Sequence, residues 1–196
     1  MSAAHLSHGL SQVLVVAATA RELAPASGWH TLCCGVGPVE AAATCAATFV
    51  RTRPGIIVHV GIAGARRASG LVAPAVVVGT GALYCDLAVP DTLAPSQIAV
   101  AGSLVDAACR ALPEASRRLI GTSGRVGHTT GCDVEAMEGF AVLRAAALAG
   151  IPAIEVRVIS NVIEDTDRAL WQFDQAFAAV QALTPGLVRE IAACAR

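Results

Sequence analysis

The chain of 196 residues contains no lysine: all 14 of its basic residues are arginines. That excludes lysine Schiff bases, Walker-type phosphate loops and lysine general bases together. Charge is sparse as well, at 15% of residues, and 14 basic against 15 acidic side chains leave a net charge of -1. No global field draws the chain to nucleic acid or to an anionic membrane, so a small neutral or weakly anionic ligand is the expected partner. The seven cysteines (33, 34, 45, 85, 109, 132 and 194) are an odd number without a CxxC pair. Neither a disulfide framework nor a zinc site follows, and the expectation is incidental thiols in a reducing compartment. The N-terminus lacks a basic n-region, and its apolar stretch 13–20 runs into Arg21-Glu22, unlike a signal peptide. A long uncharged run, 68–85, is interrupted by Gly70, Pro74, Gly79 and Gly81, as turns and strand ends would interrupt it. A cytoplasmic protein that does not cross a membrane is expected.

What the chain has in abundance is apolar sequence, 55% of residues, with 18 glycines. At this length one domain buries roughly 70% of its unfolded surface, so residues 1–196 read as a single domain that folds without staples. Near-continuous apolar runs of strand length alternate with Ala-rich segments of helix length, the pattern of strands covered on both faces. Strands are predicted at 12–18, 29–34, 56–60, 72–78, 119–122 and 153–160. Helices are predicted at 38–51, 103–112 and 133–149, followed by helical sequence from 169 onward with a break at Pro185-Gly186. Pro74 marks its strand as an edge or a strand start. With no repeat, linker or low-complexity tract, the fold class is α/β, a single-domain three-layer α/β/α sandwich with a mixed central sheet.

In such sheets ligands bind where strands run out into loops. Glu22 lies one short turn past the first strand and is either a solvated first-turn residue or a site carboxylate. Gly35-Val36-Gly37-Pro38 opens a helix, so its amides suit either an anion or a plain tight turn. Gly61-Ile62-Ala63-Gly64 lets backbone approach a ligand or packs helix on sheet, and Arg66-Arg67 beside it is open to phosphate, carboxylate or solvent. Glu138 borders an apolar stretch and must be hydrogen-bonded or face a polar cleft, and Glu135 falls on nearly the same face of the predicted helix. Asn161 ends the last core strand, a turn former or a polar rim group.

Taken in order, VVAATAREL, GVGPVEAA, HVGIAGA, MEGFA and EVRVISN resemble the nucleoside phosphorylase and nucleosidase superfamily, whose members cleave N-glycosidic bonds of nucleosides. The resemblance covers most of the chain. Through LYCDLAV, VEAMEGFAV and VISNVIEDTDRALWQFDQA it narrows to members that hydrolyse a 6-oxopurine nucleoside on the route to menaquinone. It implies a phosphorylase-like fold, no cofactor or metal and a small-molecule nucleoside as partner, while the many apolar residues in a chain of this length point to a self-association face and a homo-oligomer. It also implies roles: Glu22 orients and deprotonates water, Met137 and Glu138 pack on and hydrogen-bond the ribose, and Asn161 recognises the base. Gly61, Ala63, Thr130 and Phe140 complete the implied substrate-binding set. An amide at 161 has no proton to give, but it donates to a six-oxo group and accepts from a protonated ring nitrogen, which matches hypoxanthine or guanine. The same resemblance leaves open a purine nucleoside phosphorylase, a nucleosidase of the methylthioadenosine/adenosylhomocysteine type, or a nucleoside-binding homologue impaired in catalysis. Only Cys132 and Asp133 separate Gly131 from Val134, where relatives carry a longer segment.

Overall fold

The computed structural model describes residues 9–194. Among the described residues eight strands form one sheet: β1 (Val13–Ala17), β2 (His30–Cys33), β3 (Ile56–Ala65), β4 (Val76–Tyr84), β5 (Gln97–Ala99), β6 (Ser116–Thr122), β7 (Val134–Ala136) and β8 (Ala153–Val162). Besides a short helical stretch at 9–11, four α-helices among the described residues accompany them: α1 (Pro38–Thr52), α2 (Gly102–Ala111), α3 (Gly139–Leu148) and α4 (Phe173–Ala192). The order is β2-β1-β3-β7-β6-β4-β5, with β8 pairing both β3 and β4. The sheet is mixed, since β8 runs parallel to β3 but antiparallel to β4, and β7 runs antiparallel to β3 but parallel to β6.

Alternation along the strands sends side chains to two helical layers. Val13, Val15, Val58, Val60, Ile154 and Val156 pack with α2 and α4 through Leu104, Val105, Val180, Leu187 and Ile191. On the opposite face Leu14, Val16 and Ile57 meet Ala41, Cys45 and Phe49 of α1 and Val142, Ala145 and Ala146 of α3. The three-layer arrangement read from the sequence is therefore the one observed.

Several boundaries differ from the expectation, each for a tertiary reason. The third strand continues from Val60 through the GIAGA segment to Ala65, because β8 pairs with it along that length. The fourth begins at Val76, after a turn in which Ala75 N–H donates to Val72 O, and runs to Tyr84. The sixth starts at Ser116, paired with Val77. Residues 134–136, expected in a helix from 133, are instead β7, wedged between β3 and β6, and α3 begins only at Gly139. Pro185 does not break the last helix, which is continuous from Phe173 to Ala192. Burial of Val180, Thr184, Leu187, Val188 and Ile191 holds it, and Thr184 Oγ1 donates to Val180 O at 2.7 Å just before the proline. No helix among the described residues is long and apolar enough to cross a membrane.

Candidate active site

The face of β3 that carries Ile57 continues as His59 and Gly61, and on β8 the adjacent face carries Glu155 and Arg157. Parallel register places His59 against Glu155 and Gly61 against Arg157. An apolar layer thus gives way, midway along both strands, to an ionic one that solvent scarcely touches. His59 and Glu155 are 0% exposed and Arg157 1%.

Arg157 is the hub. Its Nε donates to Glu155 Oε1 at 2.7 Å, Nη2 donates to His59 Nε2, Nη2 lies 3.5 Å from Glu138 Oε2, and Nη1 lies 3.5 Å from Ile62 O. Burial opposes its charge, yet the charges of Glu155, Glu138 and Glu22 outweigh burial and hold the guanidinium more basic than usual. His59 Nδ1 donates to Val16 O at 3.0 Å, which leaves Nε2 to accept from Arg157. Burial first, and the Arg157 charge second, hold its imidazole well below the ordinary histidine range. Burial likewise pushes the Glu155 carboxyl up.

Two glycines make this cluster possible. A Cβ at Gly61 would overlap Arg157 Nη1 and stand 2.8 Å from Glu22 Oε1, and a Cβ at Gly139 would overlap the Glu155 carboxylate. Neither needs a positive φ; both are small because charge is packed against them.

Glu22 ends a 3₁₀ turn, Ala20–Glu22, and is buried. Its Oε2 accepts from Thr19 N–H and Thr19 Oγ1, both at 2.9 Å, and Oε1 accepts from Ile62 N–H at 3.2 Å. Oε1 thereby keeps a lone pair free beside Arg157. Glu138, also buried, takes the Gly37 N–H on Oε1 at 3.0 Å. The GVGP amide that suited an incoming anion is thus given to an internal carboxylate, which is held in place by it.

Next to Glu22, past Ile62, lies a cavity of about 150 Å³ lined by Ile62, Met137, Asn161, Trp171, Phe173 and other residues, Ala63 and Glu135 among them. Asn161 Nδ2 donates to Val162 O at 3.3 Å and Oδ1 accepts from Ser160 Oγ at 2.8 Å, leaving the amide one donor and one acceptor. Gly64 opposite has no side chain, and a Cβ there would come within 3.1 Å of that amide. Trp171 is turned over the cavity by its indole N–H, which donates to Asp165 O at 2.9 Å.

The structure gathers Glu22, Gly61, Ala63, Met137, Glu138 and Asn161 around this region. Phe140 lies elsewhere: it stacks on Tyr84 with ring centroids 5.3 Å apart and packs with Ala82 and Leu143. Thr130 is exposed, and its carbonyl accepts from the Cys85 and Cys132 thiols. Glu135 shares no helical face with Glu138, because it sits on a strand and binds Thr129 N–H at 3.0 Å and Thr129 Oγ1 at 2.7 Å, fixing the loop beside the cavity. Arg66 donates to Cys132 O and Thr129 O, while Arg67 pairs with Asp165, so both serve the loops. Arg157, Glu155 and His59 escaped the reading from residues. The signal was present: charges at alternate positions of a strand covered on both faces. All seven cysteines are free thiols, and no group of His, Cys, Asp or Glu among the described residues is placed to hold a metal ion.

A mixed α/β sheet with two helical layers carries buried carboxylates where strands run out into loops, the place where such sheets bind small molecules. Residues 29–193 match the model of the phosphorylase superfamily, and the chain belongs to that family. It is 33% identical over 177 residues to the futalosine hydrolase of Streptomyces coelicolor, across 78% of this chain and 75% of the relative. Its fold is shared with the 5′-methylthioadenosine/S-adenosylhomocysteine nucleosidase of Colwellia psychrerythraea solved with adenine (TM-score 0.77, 18% identity, 91% of this chain and 94% of the other). It is shared equally with a futalosine hydrolase mutant of Helicobacter pylori (TM-score 0.76, 14% identity, 91% and 98%).

Proposed function

We propose that this chain is a nucleosidase that hydrolyses the N-glycosidic bond of a 6-oxopurine nucleoside, with futalosine as substrate and hypoxanthine and dehypoxanthine futalosine as products. The observation that carries the reading is that Glu138 and Glu22 both stand beside the buried Arg157, Glu138 3.5 Å from its Nη2 and Glu22 near its Nη1 over Gly61, one residue from the cavity that holds Asn161. Similarity to futalosine hydrolase over three quarters of both chains supports the substrate and a place in menaquinone biosynthesis.

The chemistry follows from the groups. As the bond from the sugar C1′ to the base nitrogen breaks, its electron pair leaves with the base and the ribosyl carbon becomes cationic. Water held on the free lone pair of Glu22 Oε1 attacks C1′ and passes its proton to that carboxylate. Glu138 accepts from a ribose hydroxyl with the lone pairs left by Gly37 and faces the positive ring with negative charge. Met137, beside it in the chain, packs on the sugar. Asn161 donates to the six-oxo group and accepts from the ring nitrogen that solvent water protonates as the base departs, and Glu22 returns its proton to solvent, so the base leaves neutral. The reaction calls on no cofactor.

A phosphorylase needs free cations for inorganic phosphate. Arg66 and Arg67 are already committed to loop carbonyls and to Asp165, which favours water as nucleophile. The reading further places the protein in the cytoplasm as a homo-oligomer that binds neither nucleic acid nor membrane.

The test is incubation with futalosine, inosine, methylthioadenosine and adenosylhomocysteine, with and without phosphate, following free base. Futalosine is expected to release hypoxanthine at a rate indifferent to phosphate. Phosphate-dependent release yielding a sugar phosphate, or release of adenine in preference, would replace this reading.

A further inference from the structure

The proposed mechanism uses Glu22, Glu138 and Asn161 and leaves two fully buried groups, His59 and Glu155, without a task. Burying ionisable side chains is unfavourable unless each is paired, and well-packed apolar residues hold such positions more readily. Here the surrounding chain is fitted to them: Gly139 opens α3 with no side chain where the Glu155 carboxylate lies, and Gly61 leaves room for the guanidinium.

The contacts are also one-directional. Glu155 Oε1 meets Arg157 Nε, while Oε2, buried, has no hydrogen-bond partner among the described residues. His59 is tied by Nδ1 to Val16 O, so its one remaining nitrogen is spent on Arg157 Nη2. Neither side chain lines the cavity beside Asn161. Both act on the substrate only through Arg157, which they grip at Nε and Nη2 while its Nη1 stands over Gly61 near Glu22 Oε1. An arginine on a long flexible stem, drawn by three carboxylates, has several orientations open to it; two fixed acceptors at Nε and Nη2 leave one.

We propose that Glu155 and His59 are positioning residues that lock the Arg157 guanidinium against Glu138 and beside Glu22, so that its charge and the Glu138 carboxylate keep their arrangement while the ribosyl cation forms. This rests on the nucleosidase reading for its kinetic consequence, but not for its geometric one. A lock of this kind contributes in the transition state, where charge develops, and little in the ground-state complex, so its loss falls on kcat and spares KM.

The experiment is a set of variants of the full chain, Glu155→Gln, His59→Phe and His59→Gln, assayed for base release and labelled with ¹⁵N-arginine. Circular dichroism checks their folding. Glu155→Gln and His59→Phe are each expected to lower kcat on the order of tenfold or more with KM changed less than about threefold. His59→Gln, which returns an acceptor near the place of Nε2, is expected to recover most of the loss. Independently of activity, the Arg157 Nε–H resonance, identified by its disappearance in Arg157→Lys, is expected to be protected from solvent exchange and to lose that protection in Glu155→Gln. An unchanged resonance, a loss confined to KM, or equal damage from His59→Phe and His59→Gln overturns the proposal. Should Glu155→Gln not fold, the two His59 variants decide. A wild-type chain that cleaves no nucleoside of the panel defeats the nucleosidase reading, and the resonance then still judges the lock.

Discussion

Glu22 and Glu138 bear the same functional group but are held by different means. Glu22 is clamped by three donors from its own turn and from β3, whereas Glu138 has one amide from the α1 entrance and the flank of Arg157. The less encumbered carboxylate is the one assigned to the sugar. Glu138→Gln keeps the shape and removes the charge, so normal folding with a loss on the order of 10²-fold in kcat is expected in the base-release assay. Asn161→Asp converts an amide donor to a carboxyl group, and a buried donor facing the adenine amine is worth about 1–3 kcal/mol of mismatch in the native enzyme. The ratio of kcat/KM for hypoxanthine-bearing over adenine-bearing nucleoside is therefore expected to fall in the variant, even if both rates are low. His59 supplies a pH signature in stability. Its native pKa is held below the ordinary 6.5, so above that pH both states are neutral and the group contributes no slope. As pH falls below 6.5 the unfolded chain takes a proton the native chain refuses, and stability is lost at up to about 1.4 kcal/mol per pH unit until the native pKa is reached. Glu155, with its pKa raised, works in the opposite direction. Denaturant titrations of wild type and His59→Gln between pH 5 and 7 are expected to differ by the histidine part alone.

Among the elements, β3 and the entrance of α3 decide whether the site exists. A strand that is buried on both faces through Val60 continues as GIAGA because Ala63 and Ala65 still pack in a core cluster with Val77 and Ile120 while Gly61 and Gly64 yield space to Arg157 and Asn161. The entrance of α3 yields space in the same way at Gly139. Gly139→Ala is expected to displace the Glu155 carboxylate and cost about 1–3 kcal/mol of stability, read as a lower denaturant midpoint. Gly150, at φ 68° just beyond the same helix, is in open space, so its replacement by alanine is expected to cost only backbone strain and to spare kcat.

At the scale of the whole molecule the site lies on the face of the sheet covered by α1 and α3, and those two helices also present apolar side chains outward. Val39 is 76% exposed and Leu148 71%, beside a cavity of about 470 Å³ that Phe140 and Tyr84 also line. This is the face on which the proposed homo-oligomer would form, and it adjoins Gly37, which holds Glu138. Val39→Asp with Leu148→Asp is expected to convert an oligomer to a monomer in light scattering after gel filtration. A wild-type chain that runs as a monomer would remove that part of the reading.

Composition and periodicity alone determined the α/β class, the two covered faces of the sheet and most strand and helix positions, because burial on both faces writes itself into local sequence as unbroken apolar runs. The family resemblance brought forward Glu22, Met137, Glu138 and Asn161, since each sits in a short contiguous motif. Residues 134–136 were not legible: VEA carries no strand signal of its own and becomes β7 only by pairing with Ala65 on one side and Ile120 on the other. Nor was the continuity of α4 through Pro185, which packing against the core sustains. Least legible was the ionic core. His59 and Arg157 are 98 positions apart, and a charge in an apolar strand declares only that it must be paired. Which partner it finds is decided by the register of β3 against β8, a property of hydrogen bonds between distant segments that no local stretch of sequence contains.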